Sequence, residues 1–204
     1  MDFDHPPTDP FAVFSDWFEH ATSTSNLPNP NAMTIATVGA DARPTARIVL
    51  LKAFDQRGFV FFTNRESRKG RDLEADGRAA IVFHWDHLDQ QIRIEGSVQP
   101  TDDSESDDYF HSRPRESRLN AWASDQSRPI ESREALEAKR REIDDRFPEG
   151  TDPSRPPFWG GHRSCPPHLS GGRPKWGAIC SPCTAAAPFC GALWAAGLCG
   201  LLCE

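Results

Sequence analysis

Cysteine is absent from the first 161 residues of this 204-residue chain: all six, Cys165, Cys180, Cys183, Cys190, Cys199 and Cys203, follow Gly161. That argues against a disulfide-stapled scaffold for the larger part, which reads as a cytosolic globular domain long enough to bury its own core. Positive charge is scarce as well. Lys and Arg number 23 against 30 Asp and Glu, a net charge of −7, so no broad basic face is expected to wrap nucleic acid. The opening "MDFDHPPTDP" has neither a basic n-region nor an apolar h-region, and no secretory signal is expected. No internal repeat is present, and no Ser-His-Asp set suggests a protein nucleophile. His84 and His87 fit no metal-ligand spacing with other residues, so no metal is expected.

Charge thins where cysteine begins. Beyond Gly161 only Arg163, Arg173, Lys175 and Glu204 carry it. The chain therefore divides into residues 1–161, one globular domain, and 162–204, an aberrant Cys-, Ala- and Gly-rich tail.

Within the domain, "DPFAVFSDWFEHA" (9–21) places Asp9 as a helix N-cap and Pro10 at the first helical position, with Phe11, Phe14, Trp17 and Phe18 at helical spacing. Five β-branched runs follow: 32–38, 45–52, 58–64, 79–85 and 90–99. "GADARP" and "DQRG" between them supply turn chemistry, and Ile92, Ile94 and Val98 share one face of the last run. One helix (67–76) interrupts the strands, which predicts a small, mostly antiparallel barrel with His84 and His87 at a barrel end. Residues 101–147 turn helical, acids first, and Ala135, Leu136, Ile143 and Phe147 are the apolar positions of the charged helix 132–147.

Polar chemistry gathers in three places. In "FFTNRESRKG" (61–70) a greasy strand ends in Thr63, Asn64, Arg65, Ser67, Arg68 and Lys69. Ser67 is placed to cap the helix, so a helix start stands beside two cations, a phosphate site by electrostatics; a solvated basic turn is the other reading. "RIVLLK" sets Arg47 and Lys52 five residues apart on a strand, on opposite faces, so that each can serve a different anionic group. "YFHSRPRESRLNAWASDQS" (109–127) adds Tyr109, Arg113, Ser117, Gln126 and Ser127. So many donors beside arginines suit a ligand with two phosphates, or two ligands with one each.

These stretches, with "FWGG" (158–161), closely resemble the pyridoxamine 5'-phosphate oxidase family, FMN enzymes of vitamin B6 metabolism, over about Asp9 to Gly161. The resemblance implies a mostly β fold with flanking helices, an FMN-binding split β-barrel that is homodimeric with FMN at the subunit interface. It implies FMN contacts from Arg47, Ile48, Val49, Leu50, Leu51, Lys52, Phe62, Thr63, Arg68, Lys69, Gln91, Gln126 and Ser127. Lys52, Tyr109, Arg113 and Ser117 would hold the phosphate of the B6 substrate. Arg65 receives no role and is expected to be solvated. The implied reaction is cytoplasmic: oxidation of pyridoxamine or pyridoxine 5'-phosphate at C4', with hydride passing to FMN and dioxygen reduced to hydrogen peroxide. Two other functions stay open, an FMN oxidase of phenazine biosynthesis and a chain that holds FMN or pyridoxal phosphate without turnover. A phenazine carries no phosphate, so the set Lys52, Tyr109, Arg113 and Ser117 favours a B6 substrate.

Two departures from the family stand out. Only "MDFDHPPT" precedes the matching region, so either the family's N-terminal substrate lid is absent or the start is incomplete. After "PFWGG" the family continues to a Trp and then "RLHDR", which contacts substrate and FMN; here "HRSCPPHLSGGRPKWGAICSPC" takes over. The tail can be read as a metal site ("CSPC" with Cys190 and Cys199), as an uncharged bilayer-length segment (184–203), or as an out-of-frame translation. Its Ala, Gly, Pro, Cys and Trp excess favours the last, and with it no membrane partner.

The third reading makes a prediction about the coding DNA. If the frame slips near Gly161, triplets begun one base earlier encode Val-Pro over Cys165-Pro166 and Trp-Gln over Gly172-Arg173, the family's pairs at the family's spacing. Sequencing the gene tests this. Absence of both pairs returns the tail to the metal and membrane readings.

Overall fold

The computed structural model describes residues 9–24 and 27–166, and the backbone of 176–180. Helix α1 (Pro10–Thr24) is followed by strands β1 (Ala32–Val38), β2 (Pro44–Leu50), β3 (Ala53–Asp55) and β4 (Gly58–Asn64). Helix α2 (Arg68–Ala75) leads to β5 (Arg78–Trp85) and the long β6 (Gln90–Pro100). Helices α3 (Asp103–Ser112), α4 (Arg115–Ala123) and α5 (Arg133–Arg146) precede β7 (Trp159–Cys165) and β8 (Trp176–Cys180). The strands form one sheet in the order β2-β1-β5-β6-β7-β4-β3, with β8 also on β6. Every pairing is antiparallel. The sheet curls into a half-barrel with the helices at its flanks.

The split in the barrel is visible at β6. One edge pairs with β5 along Arg78–Trp85. The other divides, Gln90–Ile94 pairing with β8 and Ser97–Pro100 with β7. The sheet thus does not stop at the compositional break, since β7 runs through Gly161 to Cys165 between β4 and β6. Apart from the backbone of β8, the remaining tail lies outside the described residues, and with it the three readings made of it.

Local chemistry explains the elements. Asp9 Oδ1 accepts from the Phe11 N–H at 2.9 Å, so the expected cap at α1 forms, with Pro10 at its first position. Its apolar stripe buries Phe11 and Phe14 against Phe59, Phe61, Phe83 and Trp85 from the sheet. Phe14 sits edge-on to Phe54 and Phe59, each at 4.8 Å, and to Phe83 at 5.1 Å. Truncating such a ring costs about 3–5 kcal/mol. Trp85 keeps its indole N–H satisfied by the Pro30 carbonyl at 2.8 Å.

The structure corrects the sequence reading in three places. The described sheet has eight strands where five runs were expected: β3 is only three residues long, β7 is built from "WGGHRSC", which has no β-branched residue, and β8 lies in the tail. Lys52 lies past the end of β2, in the connection to β3, rather than on the strand with Arg47. On α5 only Ile143 is buried, while Leu136 is 46% exposed. That helix is held to α4 by a small cluster around Leu119 and Ala123 and by Arg140, which pairs with Glu116 of α4.

The acids at the start of α3 do more than complement the helix dipole. Arg155 pairs with Asp103 at 2.9 Å and Asp107 at 2.6 Å, and Arg163 on β7 pairs with Glu105 at 2.9 Å and Asp55 at 3.0 Å. The two arginines tie α3 to the sheet.

His162 on β7 faces inward, stacked on its strand partner Phe61 at 5.5 Å, with Nδ1 buried and without a hydrogen-bond partner. Burial, then the nearby Arg65 and Lys69 cations, pushes its pKa down to about 4. The native state therefore keeps His162 neutral, whereas the unfolded chain takes up a proton below about pH 6.5. Its contribution is whole above that value and is lost as pH falls towards 4. Urea unfolding should show about 2–3 kcal/mol of stability lost between pH 7 and pH 4.5 through this group. The slope should flatten by that amount in His162→Phe.

Candidate functional site

Helix α2 starts where β4 ends, and its first turn carries the cations. Ser67, in extended conformation, caps it by accepting from the Gly70 N–H at 3.3 Å. The cap turns Lys69 inward, where it is only 6% exposed. Its ammonium donates to Thr63 Oγ1 at 2.7 Å, Ser67 Oγ at 3.0 Å and Gln126 Oε1 at 2.6 Å. Thr63 in turn donates to Gln126 Oε1 at 2.9 Å, tying the end of β4 to the segment after α4. All three acceptors are neutral, and among the described residues no carboxylate pairs with Lys69. Desolvation, reinforced by Arg47, lowers its pKa to about 8.

Beside Lys69 opens a cleft of about 550 Å³, lined by Thr45, Ala46, Arg47 and Ile48 of β2, Arg68 and Lys69 of α2, and Gln126 and Ser127. Strand β2 ends the sheet, so its outer edge has no strand partner among the described residues. Alternation along β2 turns Thr45 and Arg47 to the inner face and leaves Ile48, 69% exposed, on the outer one. Ser127 adopts the left-handed region (φ 69°) at the turn that brings Gln126 over Lys69. Three cations, Arg47, Arg68 and Lys69, here face one carboxylate, Asp72, 3.7 Å from Arg47.

A second cleft, about 490 Å³, lies on the far side of β4, where Lys52, Arg57, Phe62 and Tyr109 face the carboxylates of Asp102, Glu105 and Asp108. The Phe62 and Tyr109 rings stack at 4.1 Å, and Phe62 and Trp159 at 5.4 Å. Cations sit on this aromatic group, Lys52 5.8 Å from the Tyr109 centroid and Arg113 4.9 Å from that of Trp159. Arg113 Nη1 is buried with no hydrogen-bond partner, and burial lowers the pKa of the guanidinium. Ser117 is half-buried one turn into α4, the helix that Arg113 precedes.

The expected site residues thus fall into two groups. Arg47, Ile48, Arg68, Lys69, Gln126 and Ser127 line the first cleft, with Thr63 beneath it; Lys52, Phe62 and Tyr109 line the second, with Arg113 behind Trp159. Val49 and Leu50 are half-buried, Leu51 is in the core, and Gln91 lies on β6 opposite His84; none of these lines either cleft. Arg65, expected to be solvated, is half-buried: its Nε and Nη2 are buried without a hydrogen-bond partner, packed over Gly160. A Cβ on Gly160 would stand 2.4 Å from Nη2, so only glycine admits the guanidinium there. Trp159, Thr37, Thr45 and Asp72 were missed as site residues. "FWGG" marked the first, but nothing local connects Thr37 to Asp72.

A group carrying a phosphate fits the first cleft on the chemistry of its donors: two positive charges stand uncompensated, one of them a desolvated ammonium. The sequence profile described as "Pyridoxamine 5'-phosphate oxidase" matches residues 21–147. The chain belongs to the pyridoxamine 5'-phosphate oxidase family. A pyridoxine/pyridoxamine 5'-phosphate oxidase of Burkholderia multivorans is 57% identical over 169 residues, 82% of this chain and 78% of that one. One from Cupriavidus taiwanensis is 54% identical over the same shares. Among solved structures, PhzG from Burkholderia lata 383, in complex with tetrahydrophenazine-1-carboxylic acid, superposes with TM-score 0.74 at 33% identity, covering 81% of this chain and 80% of that one. An FMN-binding, pyridoxamine 5'-phosphate oxidase-related protein from Nostoc punctiforme shares the fold, with TM-score 0.59 at 18% identity and coverage of 85% and 97%.

In this family member an anion in the first cleft is linked to the Lys69 proton. The ligand-free ammonium should titrate near pH 8. An anion beside it favours the charged form, so its midpoint should rise on loading and affinity should fall as pH climbs through 8. NMR titration of lysine side chains with and without inorganic phosphate measures this. A Lys69 midpoint that phosphate leaves in place removes the anion from this cleft.

Proposed function

We propose that the protein is an FMN-dependent oxidase that converts pyridoxamine or pyridoxine 5'-phosphate to pyridoxal 5'-phosphate, with dioxygen as acceptor and hydrogen peroxide as product. The observation that carries this reading is the cationic first cleft, where the buried Lys69 ammonium has only neutral acceptors and stands with Arg47 and Arg68. A second cleft offers Lys52 and Tyr109, with Arg113 Nη1 buried and without a hydrogen-bond partner behind Trp159. One suits the cofactor's phosphate and the other the substrate's. When bound, FMN supplies the two-electron acceptor for oxidation at the substrate's C4' carbon.

The chain's own residues bind and orient. Arg47, Arg68 and Lys69 neutralise the cofactor phosphate, while Gln126 and Thr63 hold Lys69 in place. Lys52, Tyr109, Arg113 and Ser117 fix the substrate phosphate, and the Phe62, Tyr109 and Trp159 rings exclude water from that side. No protein nucleophile takes part. The assignment of Val49–Leu51 and Gln91, which line neither cleft of one chain, suits a site completed in a cytoplasmic homodimer. In this reading residues 1–161 carry the oxidase domain, and the tail is an out-of-frame translation whose first residues complete β7 and whose residues 176–180 pair with β6 as β8.

PhzG's likeness keeps the phenazine oxidase in view as the second reading. The buried Nη1 of Arg113, without a hydrogen-bond partner among the described residues, favours a phosphorylated substrate over it. Because no "RLHDR" run follows "PFWGG", phosphate-dependent substrate binding with slow turnover is expected.

Two measurements test the proposal. The domain should bind FMN stoichiometrically, and replacing Arg68 and Lys69 together by Ala should weaken it by roughly 3–6 kcal/mol while leaving riboflavin affinity unchanged. Equal affinity for FMN and riboflavin in the parent protein would remove the phosphate assignment. Peroxide release should depend on pyridoxamine 5'-phosphate and fail with unphosphorylated pyridoxamine. Phosphate-dependent binding without any peroxide identifies a passive binder instead.

A further inference from the structure

Arg47 does not reach into its cleft as a free side chain. Its guanidinium donates to the Ile35 carbonyl at 3.3 Å, the Thr45 carbonyl at 3.1 Å, Thr37 Oγ1 at 2.7 Å and Thr45 Oγ1. Behind the two threonines stands Asp72, 7% exposed, one turn beyond Lys69 on α2. Asp72 Oδ2 accepts from Thr37 Oγ1 at 2.7 Å and from Thr45 Oγ1 at 3.0 Å. A hydroxyl has one proton to give. With both threonine protons committed to the carboxylate, both oxygens can only accept, and what they accept is Arg47.

We infer that Asp72 is the positioning residue of the phosphate cleft, orienting Arg47 through Thr37 and Thr45. This rests on the first cleft holding the cofactor's phosphate. The same helix thus presents two cations from its first turn and, one turn on, aims a third that belongs to the sheet edge. Coulomb attraction alone predicts the opposite role for this residue. A carboxylate 3.7 Å from Arg47 repels a phosphate, so deleting its charge should tighten anion binding. Positioning predicts that deleting it weakens binding, because the threonine hydroxyls are then free to turn and Arg47 is no longer held.

Asp72→Asn keeps the shape and removes the charge, and flavin fluorescence titration gives its affinity for FMN and for riboflavin. FMN affinity should fall about tenfold, one charge-assisted hydrogen bond, with riboflavin unchanged. A merely structural lesion lowers both alike. Thr37→Val and Thr45→Val cut the relay without touching the carboxylate and should give the same selective loss; they decide the matter if Asp72→Asn does not fold. FMN bound as tightly or more tightly by these variants, or equal loss for both flavins, overturns the inference while the cleft assignment stands. A parent protein that binds both flavins equally overturns the cleft assignment itself, and this inference with it.

Discussion

An ammonium removed from water needs negative charge nearby or it tends to lose its proton. Lys69 has neither bulk water nor a carboxylate, only three neutral oxygens at hydrogen-bond distance. Much of the surrounding architecture serves to keep it there. Ser67 caps α2 and accepts from Lys69, Thr63 ends β4 beneath it, and Gln126 is brought across by the left-handed turn at Ser127. An arrangement that disfavours the free protein's own charge is ready for an incoming anion, which restores that charge and is itself stabilised.

The sheet makes this possible by leaving an edge open. Strand β2 ends the sheet beside the start of α2, so backbone and side chains of Thr45–Ile48 meet the helix cations across a cleft instead of another strand. On the other side of β4, the aromatic group around Phe62 joins α3 and β7. One strand, β4, therefore separates a cationic cleft from an aromatic one of mixed charge, with Thr63 turned to the first and Phe62 to the second by simple alternation. Arg155 and Arg163 hold α3 against the sheet and so fix Tyr109 over Phe62.

What was legible in the chain, and what was not, follows the range of each interaction. The cap at Ser67, the start of α1 at Asp9 and Pro10, and the alternation of Ile92, Ile94 and Val98 all depend on residues within a few positions of one another. They could be read directly. Strand β7 could not, because in "WGGHRSC" only Trp159 favours a strand and the segment is recruited by the free edges of β4 and β6. Arg65 was misjudged for the same reason: its desolvation is caused by Gly160, nearly a hundred positions away in the chain.

By itself the sequence determined the family, the nature of the cations and the helix start that presents two of them, since spacing and residue type carry that information locally. Tertiary structure alone decided how those residues divide. It parted Arg47 from Lys52 into different clefts and sent Gln91 and Leu51 to neither. It also set a carboxylate, Asp72, behind two threonines to hold an arginine 25 positions earlier in the chain. Contacts of that kind are made when the sheet curls and α2 packs beneath its edge, and no pattern along the chain encodes the meeting of Thr37, Thr45 and Asp72.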